Sequence, residues 1–262
     1  MPEVLSEKHE VVKVNMSILA TYVCRLASVC LANHTSGHVG APLGLSIAIK
    51  PEMYDVAFRI AKEREPRFEN RFKNRKLRQA VADDPQLLEI VEGVVGYLGD
   101  IGCVVWLDLD WRTQLRNMVL RTNLLTHRDD YDFLYKGWTI DVKVEDFGED
   151  HSALVDKIVS RAISKNEVYG ERLVNAKQFD ENYDKSAQIY LFSCLDQLDP
   201  RSAKEWFAVG WICKEDICKY EPTDSSSSGH RLPSPAYCIP NDELRPPTEL
   251  NAVPVVSGSP PP

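Results

Sequence analysis

Asp132, Asp141 and Lys143 form the pattern D-x8-D-x-K inside the stretch YDFLYKGWTIDVKV, which runs from Tyr131 to Val144. Aspartates are hard oxygen ligands that hold Mg²⁺, and bound Mg²⁺ acidifies a coordinated water and neutralises charge on a phosphate. A lysine on the same face can position the attacking water or stabilise the charge that develops at phosphorus. Together the three residues could carry out metal-assisted phosphodiester hydrolysis. The plainer alternative is a solvated hairpin whose Asp and Lys side chains pair across strands, and D-x-K taken alone carries no more than that.

The elements that must position them can be read from the same stretch. Tyr131–Tyr135 and Trp138–Val144 alternate like strands, and Lys136-Gly137 is a natural two-residue turn. Such a turn pairs Tyr135 with Trp138, so counting outwards sets Asp132 opposite Asp141. Lys143 then shares the face of Asp141, while Ile140, Val142 and Val144 point to a core on the other side. Facing carboxylates repel, and an intervening cation would relieve them.

A metal site of this kind takes a further acid from a separate element. Pro85–Leu107 is the strongest predicted helix: Asp83, Asp84 and Pro85 supply start signals, and Leu87, Val91, Val94, Val95, Leu98, Gly102 and Val105 make one stripe. Asp100 lies off that stripe, on a side shared with Gly93, Gly96 and Cys103. Interior glycines weaken a helix, so this side is expected to meet a close neighbour. Asp100 is therefore the candidate helix ligand, with Glu92 as the substitute.

The segments GYLGDIG and DF-x7-DVK resemble the PD-(D/E)xK nuclease superfamily, whose fold is that of restriction endonucleases. RLVNAKQF, WFAVGWI and YCIPNDELRPPTEL are similar to uncharacterised, largely phage- or prophage-type members, and the resemblance covers roughly residues 85–250. It implies a metal-dependent DNA endonuclease using Mg²⁺, with Mn²⁺ able to substitute. Asp100 takes the helix-acid role, Asp132 the first-strand role, and Asp141 with Lys143 the closing pair. The helix acid in such sequences is usually glutamate, and a proline usually precedes the first-strand aspartate; here Asp100 and Tyr131 stand in those places. Duplex cutting commonly uses paired active sites, so a homodimer is among the assemblies implied.

The expected architecture is α/β or α+β: a restriction-endonuclease-like central mixed sheet flanked by helices, with a mostly helical N-terminal region. Residues 1–84 form that region, 85–250 the core and 251–262 a disordered proline-rich tail. Helices are expected over Val11–Leu31, over Glu52–Asp83 with a break near Pro66, and over Ala153–Ser164. A loop covers His34–Gly44, and strands cover Arg172–Asn175, Gln188–Leu195 and Trp206–Ile212. Ser225–Ser228 reads as a flexible tract.

Lys62–Arg78 is basic in an otherwise acidic chain of net charge −8. Arg64, Arg67, Arg71, Lys73, Arg75, Lys76 and Arg78 could track a phosphate backbone, against the commoner reading of a solvated helix with local ion pairs. The seven cysteines lack regular spacing. Cys194, Cys213, Cys218 and Cys238 are expected as buried free thiols rather than cluster ligands, in a reducing cytoplasm. No apolar run is long enough to span a membrane. A nucleic-acid-binding protein that does not cleave, and a partner-binding protein, are the alternatives to a nuclease.

Overall fold

The computed structural model describes residues 46–64, 75–109, 131–144, 171–179, 187–226, 229 and 231–255. The expected helices over Val11–Leu31 and Ala153–Ser164 and the His34–Gly44 loop lie outside these residues. After strand β1 (Ser46–Ala48) come helices α1 (Pro51–Arg64), α2 (Arg75–Ala80) and α3 (Pro85–Trp106). Strands β2 (Phe133–Tyr135), β3 (Trp138–Val144), β4 (Glu171–Asn175), β5 (Ile189–Leu195) and β6 (Glu205–Cys213) follow. Helix α4 (Lys214–Ile217) and strands β7 (Thr223–Ser225) and β8 (Arg231–Pro240) precede two 3-10 turns, Asn241–Glu243 and Pro247–Ala252.

Helix α1 has Pro51 at its first position, where a missing N–H costs nothing. It buries Met53, Val56, Ala57, Ile60 and Ala61, a single helical stripe. Helix α3 begins as its start signals predict. The Asp84 carboxylate accepts from the backbone N–H groups of Gln86 and Leu87 at 3.1 and 3.0 Å, satisfying two donors that the helix cannot pair internally. Of the predicted stripe, Leu87, Val91, Val94, Leu98 and Gly102 are buried, and Val95 and Val105 are partly so.

The main sheet has five strands in the order β1-β6-β5-β3-β2. It is mixed: β3 and β5 run parallel and the other neighbours antiparallel. A second, antiparallel sheet has the order β4-β8-β7. The main sheet separates two cores. Ile140, Val142, Ile189 and Leu191 face α1 and α3, whereas Tyr190, Phe192, Phe207 and Val209 pack with Val174 and Ile239 of the second sheet. All seven residues of β5 are buried, as its mostly apolar run requires of a central strand, with Ser193 donating to Lys143 O.

Several expectations need correction. Within the region 1–84, which was expected to be mostly helical, Ser46–Ala48 is a strand; β1 pairs with β6 and α1 packs on α3. Strand β8 was not foreseen, since Pro233, Pro235 and Pro240 argue against a strand. Pro233 and Pro235 are tolerated because β4 pairs only with Ala236–Pro240 and the pairing to β7 is irregular between Thr223 and Ser225, while Pro240 is the last residue of the strand. Ser225, expected in a flexible tract, ends β7. The tail is not free at its start: Pro247–Ala252 is a 3-10 turn, and Leu250 is fully buried. Cys194 is buried, Cys213 and Cys238 are half-buried and Cys218 is exposed, all as free thiols, so burial holds for only part of that set.

Candidate active site

Strands β2 and β3 form the expected hairpin, with Tyr135 opposite Trp138 and Phe133 opposite Ile140. Lys136 and Gly137 both have positive φ, 51° and 85°, the backbone that lets a two-residue turn follow the twist of its strands. Gly137 adopts it without strain. Ile140 and Val142 are buried against α3 as expected, and Val144 is half-buried beside them.

Asp141 lies opposite Tyr190 across the parallel pairing with β5 and is 2% exposed. Its Oδ2 meets Lys143 Nζ at 2.5 Å, and the same ammonium stands 5.7 Å from the centroid of the Tyr190 ring. A buried carboxylate is strongly unfavourable without such compensation. Lys143 retains some solvent contact, its side chain being 20% exposed.

Asp132 departs from the expected geometry. The β2 ladder begins at Phe133. The Asp132 backbone N–H donates to Ile140 O at 2.8 Å, and its Oδ2 accepts from the Val142 N–H at 2.6 Å. Instead of facing Asp141 as an unrelieved like charge, Asp132 reaches to the residue between Asp141 and Lys143. The repulsion expected between the two aspartates is relieved by protein donors, so it does not by itself demand a cation.

Asp100, half-exposed on α3, comes from the other side of the sheet. The close neighbour expected on the Gly93 and Gly96 side is not found at Gly96; the close approaches are instead at Gly99 and Gly102. A Cβ at Gly99 would lie 1.8 Å from Val144 Cγ2, and one at Gly102 2.5 Å from Trp206, whereas Gly96 has nothing within 4 Å. Cys103, fully buried one turn on, has its thiol pKa pushed well up by burial, then by the charges of Asp100 and Asp132. Asp100 and Asp132 thus act on one buried spot.

The hairpin brings Asp132 together with Asp141-Val142-Lys143. It does not gather Asp100, Asp132 and Asp141 into one ligand set: among the described residues, no three His, Cys, Asp or Glu side chains stand close enough to hold an ion. As donors the hairpin carboxylates suit Mg²⁺. The bonds to Lys143 and Val142 fall on Oδ2 of Asp141 and of Asp132 respectively. The substitute ligand Glu92 is turned to Arg78 at 3.9 Å.

The proposed phosphate-tracking residues divide. Arg75 and Lys76 are exposed. Arg78 is committed inward, donating to Leu88 O at 2.8 Å and pinning α2 to α3. Arg67, Arg71, Lys73 and the side chain of Arg64 lie outside the described residues.

Two features escaped sequence reasoning. Tyr135 OH donates to Asn251 Oδ1 at 2.7 Å, Lys136 Nζ to Asn251 O, and Trp138 Nε1 to Pro254 O at 2.9 Å. Polar-tipped aromatics beside the turn were the available signal. Arg201 clasps Asp199 and Asp83. Among the described residues, no helix is long and apolar enough to cross a membrane. No protein-family model, curated protein or solved structure matches this chain.

Proposed function

We propose that this protein is a Mg²⁺-dependent nuclease of the restriction-endonuclease-like type, acting on DNA. The observation that carries the reading is the bond between Asp132 Oδ2 and the Val142 N–H, because it assembles the first-strand acid and the D-x-K segment into one cluster. The mixed sheet is compatible with that fold, with its β2–β3 hairpin and parallel β3–β5 pair.

In this reading Asp132 and Asp141 supply hard oxygens to the ion, with Asp100 approaching beside Asp132. Bound Mg²⁺ would acidify a water and neutralise phosphate charge. Lys143, released from Asp141, orients that water and offsets charge at the phosphoryl oxygens. Val142 N–H holds one carboxylate oxygen of Asp132 in place. Supercoiled plasmid and single-stranded DNA, each incubated with Mg²⁺, Mn²⁺ or EDTA, test the proposal. Metal-dependent cutting should be present in the wild type and lost in Asp141→Ala and Lys143→Ala. Full activity in both variants removes the assignment.

A second reading is favoured by the internal partners of Asp132 and Asp141 and by the shorter acid at Asp100. The same hairpin can serve a nucleic-acid-binding protein that does not cleave. It predicts DNA binding without turnover and without a response to metal.

A further inference from the structure

The hairpin that carries Asp132, Asp141 and Lys143 is weakly built. Strand β2 has three residues and, among the described strands, lies at the edge of the sheet beside β3. Strand β3 is held in the sheet by β5, so what the hairpin lacks is support on its β2 side and at its turn. Its turn also places a non-glycine residue, Lys136, at φ 51°, a left-handed conformation that costs about 1 kcal/mol or more outside glycine. Something else must hold the tip.

The C-terminal segment does so. Leu250 is fully buried against the helical side of the sheet and anchors the 3-10 turn Pro247–Ala252. From that anchor Asn251 offers two acceptors to the tip: its side-chain oxygen to Tyr135 OH and its main-chain oxygen to Lys136 Nζ. Pro254 O then takes the Trp138 indole N–H. Every residue of the turn except Gly137 is thereby tied to the strap. The Lys136 bond offsets the cost of its backbone, and the Tyr135 phenol, half-sunk in the core, gains the partner that burial demands.

We infer that Asn251 is a positioning residue, and that the strap it begins keeps Asp132 in contact with the Asp141-Val142-Lys143 segment. The contacts of Asn251 are with Tyr135 and Lys136, not with the proposed ligands Asp132 and Asp141. It acts through Tyr135, three residues from Asp132 along an edge strand with no outer neighbour in the described sheet. Only its consequence for cleavage rests on the nuclease reading; the contact itself does not.

The Val142 amide reports the geometry directly, because its proton is held by the Asp132 carboxylate. Residue-resolved hydrogen exchange on the full chain, without metal, compares wild type, Asn251→Ala and Asn251→Asp. The phenol donates to an oxygen, and aspartate keeps that oxygen where alanine does not. Asn251→Ala should speed exchange at Val142 by about tenfold, the scale of one lost hydrogen bond, and Asn251→Asp should restore it. The Trp211 amide, bonded to Arg245 O in β6, should not change in either variant, which separates local release from general destabilisation. If Asn251→Ala is too unstable, Trp138→Phe removes the indole donor while keeping the ring and should loosen the same amide. Unchanged Val142 exchange in Asn251→Ala and Trp138→Phe, or an equal rise at Trp211, overturns the inference. Where wild type cuts DNA, Asn251→Ala should lower kcat, with recovery in Asn251→Asp. A wild type that never cuts overturns the nuclease reading and leaves the exchange result to decide the positioning role.

Discussion

Asp141 and Lys143 present a physical contradiction that the pair itself resolves. A carboxylate 2% exposed beside the Tyr190 ring is costly to ionise, and Lys143 at 2.5 Å offsets that cost. Lys143→Met should therefore lower unfolding stability by about 1–3 kcal/mol, since it leaves a buried acceptor charge without its donor. Asp141→Asn combined with Lys143→Met should be less destabilising than the sum of the single changes, and urea unfolding of the four proteins measures that coupling. Additive effects would mean that the two groups do not support each other. At this scale the shared face of Asp141 and Lys143 was legible in the sequence, because period-two spacing fixes which side chains of a strand lie together. The tilt of Asp132 was not. Whether a residue just beyond a ladder stays in register depends on a competing backbone donor, here the Val142 N–H, and no spacing rule contains that.

Among the elements, α3 resting on β3 decides how near the helix acid comes to the hairpin. Two glycines of this helix should respond to alanine with opposite signs. Gly99→Ala drives a methyl into Val144 and should cost about 1–3 kcal/mol by overpacking, relieved in part by Val144→Ala. Gly96→Ala meets open space and should stabilise the helix by up to about 1 kcal/mol. Thermal unfolding of the variants checks both, and a loss at both positions would contradict the packing described. Element legibility followed the strength of local chemistry. The Lys136-Gly137 turn and the Asp84-Pro85 helix start are short-range instructions, and both elements formed where they predict. Strand β8 depends on distant pairing with β4, and its prolines point the other way. The close approach of α3 at Gly99 and Gly102 was not legible: the glycine argument pointed to Gly93 and Gly96, and Gly96 meets open space.

For the molecule as a whole, residues 46–64 and 75–84 belong to the same body as the sheet. Arg201, in the β5–β6 connection, binds Asp83 at the start of α3 at 2.8 Å and Asp199 at 2.7 Å, with Asp84 at 3.8 Å. The hydrogen bond from Arg201 holds the Asp83 carboxyl below its ordinary pKa of 3.8. A carboxyl depressed on folding contributes stability above its unfolded pKa and loses that contribution as pH falls through its folded value. The difference in Tm between wild type and Arg201→Gln should therefore be largest near neutrality and shrink below about pH 4. A difference that grows on acidification would show that the clasp has another origin. Boundaries were the least legible feature at this scale: the basic, helical composition of the N-terminal third suggested a separate region, and only long-range pairing shows otherwise. That pairing also constrains how the chain reaches its native state. Ser46 meets Phe207 and Ala48 meets Glu205, so β1 cannot find its place during synthesis until β6 has been made. Contacts of such long sequence separation delay folding, and until they close, the apolar stripe of α1 lacks the sheet edge that β1 tethers it to. A nascent chain halted before β6 should for that reason be a substrate for chaperones, whereas one in which β6 has cleared the ribosome can complete the main sheet.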